Sequence, residues 1–575
     1  MRIAAFLPVA GCFALLLSAS AGAHAAVITT INWQGAGSGV GSGALWNQSA
    51  NWSTPGSFNA AATDLDFSSI ASNTTLSASG AGTILANNLF FGNSAATPAN
   101  ITLNGDGTAG DVVLTQSTAN PVYIYLSRGS GQLVTMGADL TLDMGSFNSY
   151  HYFGSYAPTV TGAGKGILLL QSLVKGTASG ANGIVYVSQY SGNGNTAAVI
   201  LANDGNTFQA PIQAGGYLGF TSIGMVGGGA SALGAPTTAA LGNIGMSNGG
   251  ILAYVGTGDR TTDRTIGWGG GVGIANDSSS PSTLTYTGTI TDTVTGTGTG
   301  TETMHLGALA GNTLVFTGTI GDSATAGYAT AVAKDTHATV TGYYDASGTA
   351  RTSTNAGTVV FKGANTYTAG TTISAGSLLV ANTSGSGTGT GQVTVSAGGT
   401  FGGTGIVAPT GTSNISVVGG IVSPGGVGGV AIGTLTLDGG GTSGSLLSMG
   451  TGAKFAFDLG ASNASDSISF LNFAPGDLAL TNTAFVFSGA QAGRFLLFQF
   501  YSDAGSTLVS SGLSASSFNL AGSTGLGSFT GSLDFSTAGD VYLNVASVPE
   551  PPPACLFGAA AALLLPRLRR RGRIC

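Results

Sequence analysis

Apolar and small polar residues alternate at period two over short runs, and the runs are separated by glycines. In GTVVFKGANTYTAGTTISAGSLLVAN (357–382) an apolar strand leads to a turn, Asn-Thr-aromatic, a short link, Ile, then Ala-Gly and a second apolar strand. AAVILANDGNTFQAPIQAGGYLGF (197–220) keeps the same order, and GNTLVFTGTI (311–320) is a partial copy. GQVTVSAGGTFGGTG and NISVVGGIVSPGG carry the alternation onward. On a strand this pattern sends one row of side chains inward and the next outward. A recurring unit that cannot bury its own apolar face points to short strands stacked coil on coil. Val359-Val360-Phe361 and Ser377-Leu378-Leu379-Val380 have the length of one face of such a coil. Asn365 and Asn206 hold the same place in two repeats, and their amides are expected to stack along the axis as an Asn ladder. At about 20 residues per coil, about 410 residues give about 20 coils and a rod near ~100 Å.

Composition fits this picture. The 575 residues include 98 glycines, and only 7% are charged, against about a quarter in ordinary globular proteins. A hydrophobic content of 43% can support a core, which argues against disorder. The three cysteines, Cys12, Cys555 and Cys575, all lie in the terminal segments, so the body has neither a disulfide framework nor a thiolate metal site. Without the end segments, ten basic residues face twenty-two acidic ones, a net of −12. Such a body has no basic stripe, and nucleic acid is not an expected partner.

Both ends read as addresses. Residues 1–25, MRIAAFLPVAGCFALLLSASAGAHA, join one Arg to an apolar run and an A-x-A site at Ala23 and Ala25, the pattern of a secretory signal peptide cut after Ala25. Val9-Ala10-Gly11-Cys12 also fits a lipobox, which leaves lipid attachment at Cys12 as a rival. Residues 548–575 begin Val548-Pro549-Glu550-Pro551, continue through an apolar stretch from Ala554 to Leu565, and end in Arg567, Arg569, Arg570, Arg571 and Arg573. Twelve apolar residues reach about 18 Å as a helix against about 30 Å of hydrocarbon, a reach that snorkelling arginines extend. The arginines mark the cytoplasmic side.

The order of PEP triplet, apolar segment and basic cluster resembles the PEP-CTERM sorting signal of Gram-negative bacteria. That resemblance implies an exosortase-like processing enzyme as partner, with Pro549, Glu550 and Pro551 as its recognition triplet. It also implies transient anchoring in the inner membrane and passage to the outer surface or extracellular matrix. Here the apolar run is short, Pro566 adjoins the arginines, and the chain ends in Cys575. Residues 357–405 are similar to the autotransporter-associated β-strand repeat, and DRTIGWGGGVGI (263–274) looks like a coil of the same family. The segment with Trp33, Trp46 and Trp52 is similar to the Trp-rich opening of such proteins. This resemblance implies an all-β fold, a right-handed parallel β-helix over 26–440, with 441–547 supplying the final coils and a β cap. About 107 residues leave little room for a transporter barrel with its linker.

Candidate chemistry is sparse. Asp259, Arg260, Asp263 and Arg264 in GDRTTDRT are the densest charged group, expected as two ion pairs on one coil edge. Asp64 and Asp66 alternate with Leu65 and Phe67 and read as an exposed face opposite a buried one. His151, His305 and His337 each stand without a second His nearby, so no zinc-binding spacing occurs. Gly321-Asp322-Ser323 looks like a hydrolase block, but no His follows His337 and the DxxH partner of such a block is absent; NGDGTAGD (104–111) is a weak cation candidate. Tyr150, His151, Tyr152 and Tyr156 could line one face, either stacking on sugar rings or forming an aromatic stack of the coil. The expectation is a secreted, non-enzymatic surface or matrix protein associated with extracellular polysaccharide, with no catalytic residue, metal or cofactor assigned. A polysaccharide lyase or hydrolase is the alternative, and an autotransporter passenger-like adhesin the third.

Overall fold

The computed structural model describes residues 29–548, apart from 35–44, 56–62, 92–98, 108–111, 117–121, 127–131, 155–165, 188–197, 295–298, 336–342, 352–354, 427–431 and six single loop positions. The chain is a parallel β-helix with a C-terminal β cap, and it divides into two compact units. One takes residues to 185 together with 191–197; the other takes 186–190 and everything from 198.

In the first unit three parallel ladders form the faces. One holds Thr29–Asn32, Thr63–Asp66, Leu89–Phe91, Val122–Leu126 and Tyr150–Phe153. A second holds Thr74–Leu76, Ile101–Leu103, Leu133–Met136 and Ile167–Leu170, and a third Gly82–Ala86, Val112–Gln116, Leu140–Phe147 and Leu173–Ala178. In-register pairing lines up Leu65, Leu89, Ile124 and Phe153, each at most 1% exposed, as one inward column. The early tryptophans plug the first coils. Trp33 meets Trp52 edge-on at 5.5 Å, Trp52 meets Phe67 at 5.0 Å, and Phe67 stacks on Phe91 at 5.0 Å. The buried indoles of Trp46 and Trp52 donate to the carbonyls of Asn104 and Trp46, so their polar edges are satisfied.

The second unit continues the same principle over more coils. Its longest ladder runs from Ala198–Leu201 through Tyr217–Phe220, Ile251–Tyr254, Val272–Asn276, Gly300–Ala308, Tyr328–Lys334, Gly370–Ile373, Val393–Ser396, Ile415–Val418 and Leu447–Met449 to Leu478–Leu480. On another face, Leu284, Leu314, Val359, Leu378, Phe401, Val422, Phe455 and Phe485 stack in register, none more than 1% exposed. Burying such a column is the main apolar gain of each added coil, at about 25 cal/mol per Å².

Two expectations need correction. Coils are not uniformly about 20 residues: Thr358 pairs with Ser377, nineteen residues on, but Val332 pairs with Thr371, thirty-nine on. The parallel ladder fixes only the strands, and the corners between them absorb insertions. Nor do Asn206 and Asn365 form an amide-on-amide ladder. Asn206 donates to the Ala232 carbonyl and Asn365 to the Gly387 carbonyl, while Asn365 accepts the N–H of Ile320. Asn206 follows a strand of the long ladder and Asn365 a strand of another face, and each bonds the backbone of a neighbouring coil. Backbone groups at a corner lie outside the ladder and are left for side chains to satisfy.

The final coils close under three antiparallel strands, Gly493–Phe500, Phe529–Asp534 and Asp540–Ser547, with Asp540–Ser547 in the middle. Their inner face carries Phe495, Phe498, Phe500, Val541, Leu543 and Val545, all buried. Phe498 packs at 5.1 Å against Phe455 and at 5.7 Å against Phe518. The antiparallel turn-back covers an end that would otherwise expose unpaired strands.

Candidate functional site

On the outer face of the first unit, aromatic residues line up across coils because the ladder is in register. Tyr152 lies beside Tyr123 and Phe90 beside Tyr125. Tyr123 and Tyr152 stack with ring centroids 4.8 Å apart and planes within 10°, and Tyr150 meets Tyr152 edge-on at 6.1 Å. Phe90 and Tyr125 pack edge-to-face at 5.5 Å. Tyr152 is buried, whereas Phe90, Tyr123, Tyr125 and Tyr150 are half-buried. Tyr150 and Tyr152 therefore share one face, and Tyr152 joins Tyr123 in an axial stack. Tyr156 lies outside the described residues. His151 points the other way, into the core beside Phe147 at 4.3 Å, where burial pushes its imidazole down to about 4. Its Nε2 is buried without a partner.

The charged candidates are committed to the backbone. The expected pair of surface ion pairs in GDRTTDRT is replaced by a different arrangement. Arg264 is buried (1% exposed) and its guanidinium donates to the carbonyls of Leu233 at 2.6 Å, Gly234 at 3.1 Å and Gly224 at 3.3 Å. Burial lowers its pKa to about 10, still well above neutrality. Asp263 accepts the Val226 N–H and Asp259 the Thr283 N–H, while Arg260 approaches Asp204 at 4.0 Å. A β-helix corner leaves loop carbonyls inside, and a planar five-donor group in a fixed fork suits three of them spread across the corner.

Asp64 also departs from expectation: it is buried, accepting the amides of Asn87 and Asn88 at 3.0 and 2.8 Å. Burial raises its pKa and the two amides partly offset this. Only Asp66 is half-buried, with Leu65 and Phe67 inside as expected. Asp322 is a turn staple, taking the N–H groups of Thr330 and Thr368 and the Thr368 hydroxyl, and Ser323 donates to the Val294 carbonyl. In NGDGTAGD, positions 108–111 lie outside the described residues, and Gly107 donates its N–H to Asp139. Among the described residues no group of three or more His, Cys, Asp or Glu is placed to hold a metal ion.

A cluster that sequence patterning did not single out sits on the long ladder of the second unit. Asp277 is fully buried; its Oδ2 faces the Tyr217 hydroxyl at 3.4 Å and its Oδ1 has no partner. Burial raises its pKa to about 7, against the opposing effects of Tyr217 and Arg351. Nearby, Lys334 is wholly buried and donates to the carbonyls of Asn355 at 2.7 Å and Ala375 at 2.9 Å, its pKa lowered by burial to about 8. His305 Nδ1 lies 2.7 Å from Asp335 Oδ2, and Asn355 Nδ2 donates to the Asp335 carbonyl. One sequence signal was available: Lys334 ends YATAVAK, at an alternate position where an apolar residue was due.

The sorting residues Pro549, Glu550, Pro551, Arg567, Arg569, Arg570, Arg571 and Arg573, the signal-peptide residues Ala23 and Ala25, and His337 lie outside the described residues. Val548 is described: it is 52% exposed, directly after the cap's central strand. Among the described residues no helix is long and apolar enough to cross a membrane. No family model, no curated protein and no solved structure matches this chain.

Proposed function

We propose that this protein is a secreted, non-enzymatic β-helical component of the cell surface or extracellular matrix, sorted by an exosortase-type system and associated with extracellular polysaccharide. The observation that carries this reading is the exit of the chain. The cap is finished by its central strand Asp540–Ser547, and the backbone leaves it at exposed Val548, next to Pro549-Glu550-Pro551. The segment that a processing enzyme would recognise thus follows directly on a finished cap. Support also comes from the commitment of Asp263, Arg264 and Asp322 to backbone groups and of Asp64 to two side-chain amides, which leaves them little freedom to act as acids or bases. The half-buried Phe90, Tyr123, Tyr125 and Tyr150 offer apolar edges and hydroxyls along the coils. Weak contacts to a repeating glycan would then add through multivalency.

The test compares the location of the intact chain with that of a chain ending at Ser547. Loss of the truncated chain from the outer surface supports sorting; equal amounts in the same compartment reject it. The polysaccharide association is tested separately by co-sedimentation with the organism's own exopolysaccharide. Release of new reducing ends in that mixture would favour the rival reading, a glycan-cleaving enzyme.

A further inference from the structure

The coil between Val332 and Thr371 is the longest step in the ladder, and it carries a small antiparallel hairpin, Tyr343–Tyr344 against Ala350–Arg351. Its tip is a tight turn in which the Asp345 carboxylate accepts the N–H groups of Ser347 and Thr349 and the Ser347 hydroxyl. The chain on either side of this excursion is pinned. Lys334 reaches the Asn355 carbonyl, Asn355 reaches back to the Asp335 carbonyl, and Asp335 holds His305.

The hairpin itself is held on a different part of the ladder by a few long contacts. Tyr344 meets the Tyr217 ring edge-on at 5.2 Å, and the Tyr217 hydroxyl lies 3.3 Å from the Tyr344 carbonyl and 3.4 Å from its N–H. Beneath it the ladder is buried on both sides, unlike the alternating strand Val393–Ser396. The outer row there is made of small residues, Gly219, Ala253, Ala275 and Gly307, all buried and in register. Asp277 continues this row two residues beyond Ala275.

We propose that the 343–351 hairpin is a strap, held on the outer face of the long ladder while the Asp277 carboxyl keeps its proton and lifted when that proton passes to solvent. The neutral acid tolerates a dry site with one oxygen unpartnered; the carboxylate does not. The groups that face Asp277 are few. Tyr217 comes from the ladder beneath and Arg351 from the hairpin, whose Tyr344 packs on Tyr217. Arg351 is engaged by Asp345 at 3.4 Å. Tyr254 contributes only its carbonyl to the Asp277 N–H, its own hydroxyl being turned to Thr257 and Gly258. Burial with no charged group in contact accounts for a carboxyl that stays protonated up to about pH 7. The closed strap is favoured fully below about pH 4, the ordinary carboxyl range, and loses that advantage as pH rises to about 7. Above that pH both states are ionised and the dependence flattens.

Hydrogen–deuterium exchange on the full chain between pH 4 and pH 8, corrected for intrinsic exchange, reads the strap through peptides covering 343–351. Protection there should fall at least about tenfold over this range, while peptides of the ladder stay constant. In Asp277→Asn, protection should not vary with pH. A flat wild-type profile, or a fall that persists in Asp277→Asn, overturns the proposal. Arg351→Gln provides a second arm should Asp277→Asn fail to fold. Removing the nearby cation must move the end of the fall to higher pH, and an unmoved profile overturns the proposal as well. Because the readout is local, its failure leaves the sorting and matrix reading untouched.

Discussion

Lys334 stands directly beside Ile373 in the inward column of the long ladder, where every other position from Val199 through Leu218, Leu252, Ile274, Leu306, Val395, Val417 and Met449 is apolar. Its aliphatic stem fills the column and its ammonium crosses to the Asn355 and Ala375 carbonyls. The buried charge closes the excursion that carries the 343–351 hairpin. Lys334→Met should keep the column filled but strand two carbonyls. We expect a loss of about 1–3 kcal/mol in denaturant unfolding and faster exchange in the 343–351 hairpin. An unchanged midpoint would mean that water replaces the ammonium without cost.

The glycine facing that ammonium is equally constrained. Gly376 has φ +62°, and a Cβ there would sit 2.4 Å from the Asn355 carbonyl oxygen and 2.9 Å from Lys334 Nζ. Gly376→Ala should therefore cost more than about 2 kcal/mol, from the left-handed backbone and the clash together. Gly249→Ala is the control. It also has positive φ, +86°, but its Cβ would meet nothing within 4 Å, so it should cost only about 1 kcal/mol.

Arg264 holds the corner at 224–234 through three carbonyls. Arg264→Lys retains the charge but cannot fork to all three, and Arg264→Met removes every donor. Expected losses are about 1–2 kcal/mol for Lys and about 3 kcal/mol or more for Met, measured by chemical denaturation. A Lys variant as stable as the natural chain would show that charge, and not the fork, matters.

His151 makes the first unit sensitive to acid. Its folded pKa, about 4, lies below the ordinary histidine value of 6.5 because burial disfavours the cation. The stability it contributes is present above about pH 6.5 and is lost as pH falls through about 4. The loss should reach about 2–3 kcal/mol. His151→Phe should flatten this part of the profile in thermal melts at pH 7, 5 and 4. A variant that loses stability in parallel with the natural chain would assign the acid sensitivity to other groups.

Alternation and repetition made the fold legible, since a stacked strand must present one row inward whatever its neighbours are. The inward rows of Val359 and Phe361, and of Leu378 and Val380, follow from sequence alone. The likeness of Asn206 and Asn365 in the repeat pattern does not carry over, since they follow strands of different ladders. Charge was harder to place. Arg264 and Asp64 look like surface residues in a string of threonines and glycines, and each is drawn inside by backbone groups or amides contributed from elsewhere in the chain.

Local pattern thus determined the strands, their inward rows and the β class of this protein, because period-two burial is a property of the strand itself. Tertiary structure decided the lengths of the coils, the interior charges and the meeting of Tyr217 with Asp277 and with Tyr344, 60 and 127 residues further along the chain. Those outcomes depend on which corner carbonyls are left unpaired and which outer row is small enough to be covered. Neither is fixed until the coils are stacked.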